Sequence, residues 1–589
     1  MPAAVAEYAF LLDRHVDRAT LDRSIAAAAQ WGVAPHEVML ALGWLEPRDY
    51  VASLARHLGL PVVDRPPVSR PLTLVDATVM APGALARHVA ALGHGGLHVA
   101  LEAPASRPGP EHDSSEATRL ARAIHLLSQS RPDLSAAAPL QRWQAVAIAV
   151  LVGLIVGGLA VDLALTAAAL SAVIAVPFLM IVGLRALALS MIALTPPLRP
   201  TAPPQRLPDH VLPVYSVLVA LYDEVAALPG LVRALERLDY PAAKLDIILV
   251  LESDDDVTRR AAAQLELPGN MRTVVVPAAM PRTKPKALNY ALQAARGSFV
   301  VIFDAEDAPE PGQLRWALDA FLNGPADLYC VQARLSIHNQ HDSWLSRQFT
   351  LEYSALFDAL LPALARLGLP VPLGGTSNHF RREVLDRCLA WDPYNVTEDA
   401  DLGIRIARLG GRTGVLASTT WEEAPWRLKS WLRQRTRWLK GWMQTYAVHM
   451  RRPRQLYREV GWKCFLAIQA LMAGLVLSAI VHPWFYALTA LEIAYGDPLT
   501  PPQSTLGYAL WVLAAINLAV GYLSSIALAA VTAARRRRYA LIPHAFLMPA
   551  YWMLISFAAY RAIWQLMTAP YEWEKTDHRP HPPSIAPEA

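Results

Sequence analysis

Three long apolar runs flank one stretch of mixed character, and that arrangement constrains the fold more than any other feature of the chain. Ala145 to Leu194, Phe465 to Tyr486 and Leu506 to Thr532 carry very few charges, whereas Leu207 to Glu459 has the composition of a soluble domain. A bilayer span takes roughly 20 apolar residues, so each run holds at least one. The first reads as a hairpin: Val146 to Val161, a turn at Asp162, then Leu163 to Leu184, closed by Arg185. The alternative is one long buried helix. With 54% hydrophobic residues in 589, the chain is more apolar than soluble enzymes are.

Charge speaks to topology. A net charge of +4 is too small to indicate nucleic acid, and no basic-aromatic face stands out. Arg535 to Arg538 end the third run, while the loop Tyr495 to Ser504 has no Lys or Arg. The positive-inside rule therefore assigns the arginines, and the soluble domain with them, to the cytoplasm. Cys330, Cys388 and Cys464 show no paired spacing, so they read as buried thiols rather than disulfide or zinc ligands. The first residues, MPAAVAEYAFLLDRHVDR, lack a basic region followed by an apolar core, so membrane entry is expected to rest on the internal spans.

Ahead of the first span, Glu7 to Val63 alternates short amphipathic helices, with Leu21, Ile25 and Ala28 on one stripe and Val51, Leu54 and Leu58 on another. After Pro66 to Pro71, the stretch Ala77 to Pro104 reads helix, strand, strand, and a polar linker precedes a last helix. In the soluble domain, Tyr215 to Leu221, Asp246 to Leu251, Thr273 to Val276 and Phe299 to Phe303 read as strands, each followed by turn residues and a helical period. That alternation predicts a parallel α/β sheet, whose ligands sit beyond the carboxyl ends of the strands.

Four acidic clusters fall at such places: Asp223-Glu224, Asp254-Asp255-Asp256, Asp304-Ala305-Glu306-Asp307 and Thr397-Glu398-Asp399. Any one alone reads as a helix cap or a solvated turn. Together they suit a reaction in which a nucleotide diphosphate leaves, since strand-end carboxylates hold a divalent cation, Mg2+ or Mn2+, against the developing charge. Asp304 and Glu306 form a DxD-like pair with Asp307 as a spare ligand, and Asp399 is the candidate general base for an acceptor hydroxyl. Lys284, Lys286 and Asn289, in PRTKPKALNYAL, either meet the diphosphate or form a basic turn. Gly374 to Asn378 is a tight turn of small groups, either an acceptor loop or an ordinary one. Gln434, Arg437 and Trp438 stand at i, i+3 and i+4 and share a helix face, which suits a pyrophosphate and a sugar ring or, alternatively, the membrane interface.

YDE, ESDDD, PKALNYAL, DAED, TED and QRTRW, in this order, resemble the processive family 2 glycosyltransferases: cellulose, chitin, hyaluronan and poly-N-acetylglucosamine synthases. The resemblance covers about Val214 to Trp442 and the helices that follow. It implies a GT-A (nucleotide-diphospho-sugar transferase) α/β domain flanked by transmembrane helices, in a multi-pass bacterial inner-membrane enzyme. The activity implied is inverting transfer of a β-linked hexose from UDP-glucose or UDP-N-acetylglucosamine to a growing exopolysaccharide, which the enzyme exports. Transfer of one sugar to a lipid acceptor and an inactive scaffold are the alternatives.

Residue by residue, the resemblance implies that Asp223, Glu224, Asp254, Lys286, Asp304, Gln434, Arg437 and Trp438 bind the nucleotide-sugar. It assigns Gly375, Thr376, Ser377, Glu398 and Trp438 to the acceptor, and Trp573, Lys575 and Thr576 to a gating loop. Glu306 departs from the commoner Asp, and Gly374 to Asn378 replaces a Cys-containing loop of cellulose synthases. The N-terminal unit is similar to that of type II secretion and pilus ATPases, which implies cyclic di-GMP or a protein partner. Here Ala34-Pro35-His36 replaces the usual entry to the nucleotide motif, and no GxxxxGK[ST] loop occurs. The expected division is 1–135 accessory domain, 144–194 transmembrane hairpin, 207–459 catalytic domain, 463–567 transmembrane and interfacial helices, and 568–589 cytoplasmic tail.

Overall fold

The computed structural model describes residues 3–12, 14–31, 33–59, 62–63, 73–74, 97–100, 116–138, 140–194, 207–495, 501–572 and 574. Trp573, Lys575 and Thr576 of the expected gating loop lie outside the described residues, as does most of Ala77 to Pro104.

Eight strands form the central sheet: Tyr215–Leu221 (β1), Leu245–Glu252 (β2), Met271–Val276 (β3), Phe299–Phe303 (β4), Ala308–Pro309 (β5), Leu328–Ile337 (β6), Asn378–Arg381 (β7) and Arg412–Glu422 (β8). Their order is β3-β2-β1-β4-β7-β6-β8-β5. The first four are mutually parallel, as their alternation with helices predicts. β7 then runs antiparallel to both β4 and β6, with Asn378 opposite Ile302 and Gln332. The sheet is therefore mixed and not wholly parallel. β1, β2 and β4 are apolar almost throughout, as strands covered on both faces must be. One face packs Val217, Leu249, Val301 and Phe303 on Leu231, Leu235 and Leu318; the other packs Leu218, Ile248 and Ile302 on Leu288, Phe380 and Trp391.

The helices that matter below are Arg142–Val161 (α1), Leu163–Leu194 (α2), Asp256–Gln264 (α3), Lys284–Leu292 (α4), Trp344–Ala355 (α5), Glu398–Arg408 (α6), Leu428–His449 (α7), Pro453–Ile468 (α8), Leu475–Tyr495 (α9), Thr505–Arg535 (α10) and Met548–Thr568 (α11). Five helical stretches among the described residues are long and apolar enough to cross a membrane: 142–161, 165–194, 453–487, 505–535 and 539–568. α1 and α2 form the expected hairpin, broken at Asp162, whose Oδ1 accepts from the Leu165 N–H at 2.9 Å. α2 runs on past Arg185 to Leu194. The last stretch, within the 463–567 region expected to hold transmembrane and interfacial helices, is thus long and apolar enough to be a span. One side of α11 is buried on α7 and α9 through Ala558, Ala559 and Ala562 against Leu439 and Ala479.

The end of α10 is tied to the α/β domain. Arg536 grips Asp358 with two hydrogen bonds of 2.5 and 2.7 Å, and Arg538 donates to Ser336 Oγ and the Ile337 carbonyl at 3.0 and 2.9 Å. The four arginines thus sit on the domain's side of the helices. At the opposite end of the sheet, the N-terminal helical unit leans on the domain through Arg296, which donates to the Ala41 carbonyl at 2.7 Å. Its core is Leu11, Leu21, Met39, Tyr50, Val51 and Leu54, with Ile25 and Leu58 at its edge. His36, in the stretch that replaces the usual nucleotide entry, is fully buried and stacks on Tyr50 at 4.9 Å while Tyr8 bonds its Nδ1 at 2.9 Å. That residue is part of the core.

Candidate functional site

The carboxyl ends of β1, β2 and β4 carry the first three acidic clusters. After β1, Asp223 takes a left-handed backbone (φ 54°), a conformation Asp tolerates, and its N–H donates to Asp255 Oδ2 at 2.5 Å. The Glu224 N–H donates to Thr258 Oγ1 at 3.1 Å. Asp255 also caps α3, accepting from the Thr258 N–H at 3.1 Å, so within the second cluster the capping role is real for this residue. Asp254 pairs with Arg282, which donates to the Tyr222 hydroxyl at 2.9 Å.

After β4, Asp307 is fully buried and organises the turn. Its Oδ2 accepts from the Asp304 N–H at 2.6 Å and from the Thr376 hydroxyl, while Oδ1 is buried without a hydrogen-bond partner. Burial, then the charges of Asp304 and Glu306, push its pKa well above the carboxylate range. Asp307 is therefore the anchor of the Asp304 turn instead of a spare, accessible ligand.

The two lysines expected near the diphosphate face different ways. Lys286, assigned to the diphosphate, is fully buried in the first turn of α4 and donates to Glu252 Oε2 at 2.8 Å and the Ala279 carbonyl at 3.2 Å. A helix advances 100° per residue, so when position 286 faces the sheet, position 284 faces the strand ends. Lys284 accordingly pairs with Asp304 and donates to the Gly375 carbonyl at 2.9 Å. Burial opposes its charge, but Asp304 and Glu398 outweigh it and hold the ammonium well above its ordinary pKa.

Thr376 and Ser377, expected at the acceptor, turn inward: Thr376 bonds Asp307, and Ser377 Oγ donates to Thr420 Oγ1 at 2.6 Å. Their neighbour Gly375 faces the site, at φ 82°, and a Cβ there would lie 2.9 Å from Asp399 Oδ2. Only glycine combines that backbone with that approach. Glu398 and Asp399 open α6. Burial raises Glu398 to about 7 and Asp399 to about 6; for both, Lys284 and Arg437 oppose the rise.

α7 closes the site. It lies close to α6 because residue 441 is glycine: a Cβ there would stand 2.3 Å from Thr397 Oγ1. Arg437 loses charge stability through burial and regains it from Glu398, Asp304, Asp399 and Glu306, so one guanidinium acts on all four carboxylates. Gln434 Oε1 is buried without a hydrogen-bond partner. Trp438 packs with Phe349 and Tyr353 at 5.9 and 6.3 Å, with Arg435 4.7 Å over its ring. Its indole is thus part of an aromatic stack shared with α5. On α7's other side Lys440 donates to the Ala569 and Glu572 carbonyls at 3.1 and 2.8 Å, and Gln444 to Pro570 at 2.9 Å, drawing the residues after α11 alongside.

Two carboxylates escaped the sequence reading. Glu422, at the end of β8, is buried and raised in pKa, first by burial and then by Asp307, Glu306 and Asp304. Glu352 on α5 takes Arg435 in a two-pronged pair of 2.8 and 2.6 Å and accepts from the Tyr551 hydroxyl at 2.9 Å. Neither stands in an acidic cluster at the end of the first four strands, so spacing gave no sign of them.

Asp304, Glu306, Asp307, Glu398, Asp399 and Glu422 crowd around Lys284 and Arg437, and the mutual repulsion that helps raise Asp307, Glu398 and Glu422 is one that a divalent cation would relieve. Among the described residues no three Asp, Glu, His or Cys side chains converge on one point as a metal cage. Mg2+ is commonly held by one or two carboxylates and completed by substrate phosphates, which fits Asp304 and Glu306.

Residues 213–441 match the family model described as Glycosyltransferase like family 2. This chain carries a family 2 glycosyltransferase domain. Its fold is of the GT-A type. The glycosyltransferase domain is similar to the probable glycosyltransferase YdaM of Bacillus subtilis, 26% identical over 39% of this chain and 55% of that one. It is also similar to the beta-monoglucosyldiacylglycerol synthase of Synechocystis, 28% identical over 51% of this chain and 62% of that one. The chain spans about half the length of the curated relatives it matches. Among solved structures it resembles the mannosyltransferase of Pyrobaculum calidifontis in complex with GDP-Man and Mn2+, 20% identical with a TM-score of 0.43 over 68% of this chain and 99% of that one.

Proposed function

We propose that the chain transfers a hexose, with inversion, from a nucleotide diphosphate sugar to a hydroxyl on a membrane-borne lipid acceptor. The observation that carries the transfer is the meeting of Asp399, Arg437, Lys284 and Asp304 at the strand ends, beside helices apolar enough to lie in a bilayer. Asp399, partly exposed among buried neighbours, takes the proton from the attacking hydroxyl, and its raised pKa suits a base working near neutrality. Arg437 and Lys284 face the charge that gathers on the departing diphosphate. Asp304 and Glu306 would hold a divalent cation, Mg2+ or Mn2+, which when bound neutralises that charge. Asp254 and Asp223 flank the donor's nucleoside end.

The lipid acceptor is favoured by the relatives named beta-monoglucosyldiacylglycerol synthase. Polymer extension is the second reading, favoured by relatives named as probable glucomannan 4-beta-mannosyltransferases. The domain faces the cytoplasm of a bacterial inner membrane, a reading supported by Arg536 and Arg538 bonding to it. Membranes holding the chain are supplied in turn with labelled UDP-glucose, UDP-N-acetylglucosamine and GDP-mannose, and the label is divided between organic extract and high-mass material. Organic-soluble product is expected. High-mass product alone would replace the lipid reading with the polymer, and no incorporation from any donor overturns the transferase reading.

A further inference from the structure

Away from the carboxylates, the membrane helices enclose a polar cluster that glycosyl transfer leaves unexplained. Arg185 lies within α2, about 5 Å, or one helical turn, deeper than Ala188, which with Ile192 packs on Ala359 and Ala363 of the glycosyltransferase domain. It stands therefore at the depth where lipid headgroups meet acyl chains on the domain's side. Its side chain is partly buried and turned onto α10, donating to Ser525 Oγ at 2.8 Å.

A cation at such a depth is costly unless an anion meets it. The carboxylate that acts on Arg185 is Glu352, and Glu352 is already held by both arms of Arg435. Three charged groups, two positive and one negative, leave one positive charge over. Beside Arg185, four residues on one turn each of α9 and α10 supply neutral polar groups. His482 bonds the Tyr522 hydroxyl at 3.0 Å, Tyr522 donates to Tyr486 at 2.5 Å, and Trp552 packs edge-on against both His482 and Tyr522 at 5.4 and 5.1 Å. The spacings 482/486 and 522/525 put each pair on one helix face, toward one another and toward Arg185.

We infer that Arg185, held by Ser525 and backed by His482 and Tyr522, forms a binding site for the phosphate group of a membrane lipid whose headgroup carries a net negative charge, entering between α2, α9 and α10. The Arg185 guanidinium is the donor such an anion takes; Ser525 Oγ accepts from it and gives its own hydrogen to the Gly521 carbonyl at 2.7 Å, which fixes the guanidinium in place, and the surrounding rings accommodate the start of the lipid's apolar chains. The site is separate from the donor pocket and is read without transfer, so its failure leaves the reaction proposed above untouched.

The full chain in neutral detergent is titrated with vesicles of phosphatidylcholine, of phosphatidylcholine with phosphatidylglycerol, and separately with inorganic phosphate. Bound lipid is counted by native mass spectrometry and stability by melting temperature. Phosphatidylglycerol is expected to bind about tenfold tighter than phosphatidylcholine, the worth of one charge-assisted contact. Arg185→Gln should abolish that preference, Ser525→Ala should weaken it about threefold, and Arg366→Gln, on an exposed cation near the same membrane face, should leave it intact. Stabilisation by inorganic phosphate, lost in Arg185→Gln, would keep the phosphate site and reassign its source to the aqueous ion. Equal binding of the two lipids, or a preference that survives Arg185→Gln, overturns the site. Should Arg185→Gln fail to fold, an unchanged preference in Ser525→Ala overturns it instead.

Discussion

Single carboxyls in the site bear a desolvation cost that the fold tolerates, and pH exposes it. Asp399 and Glu398 are raised to about 6 and about 7, against ordinary values of 3.8 and 4.5. A carboxyl raised in the folded state stabilises below its unfolded pKa, and that contribution disappears as pH rises through the folded value. The window runs from about pH 4 to about pH 7. Asp399→Asn is accordingly expected to melt higher than the parent at pH 7.5 and at the same temperature at pH 3. Its turnover should fall by a factor of about 10² to 10⁴ with donor affinity within about threefold. Scanning calorimetry at the two pH values and a donor titration check both halves; full turnover in the variant removes Asp399 as base.

The two lysines of α4 divide along the same line. Lys286→Met leaves Glu252 buried and unpaired and is expected to lose about 3–5 kcal/mol of stability in a denaturant titration. Pairing it with Glu252→Leu should recover most of the loss, because the uncompensated charge goes too. Lys284→Met, by contrast, should lower kcat at nearly unchanged stability, since its partner Asp304 is partly exposed.

Helices explain how much of this was legible. β1, β2 and β4 announce themselves as β-branched runs followed by acidic turns, and the three site clusters at their ends are legible for that reason. β6, β7 and β8 are assembled by pairing over long sequence distances, such as Asn378 with Ile302, and no local pattern encodes that. Hence Glu422 passed unnoticed, and Thr376 and Ser377 were placed at the acceptor although β7's pairing turns them inward. The spacing of Gln434, Arg437 and Trp438 did forecast a shared face on α7, but not that Trp438 stacks within an aromatic group. Arg435, which drew no attention in sequence, binds α7 to α5 and α11 through Glu352 and the Tyr551 hydroxyl at 3.0 Å. Arg435→Met should therefore cost about 3 kcal/mol or more and speed proteolysis of α7, whereas Tyr551→Phe, removing one hydroxyl, should cost about 1 kcal/mol. Limited proteolysis in detergent ranks the two.

For the molecule as a whole, the attachment of α10 to the domain is the hinge on which position depends. Arg536 and Arg538 reach Asp358, Ser336 and Ile337 from the end of a candidate span. Arg536→Gln is expected to leave the isolated sheet's core intact while reducing transfer to a membrane acceptor at least tenfold and leaving donor hydrolysis by water nearly unchanged. Equal loss of both reactions would mean that the pair only holds the fold.

α7 also sets a schedule. The helix that carries Arg437 is made between residues 428 and 449, yet the hydroxyl and the alanines that seat it belong to residues 551 to 562. During synthesis, the pocket's final wall stays unsupported for about a hundred residues, until the last apolar stretch has been delivered to the bilayer. A chain made only as far as residue 550 is consequently expected to hold its carboxylates without its closing arginine fixed in place.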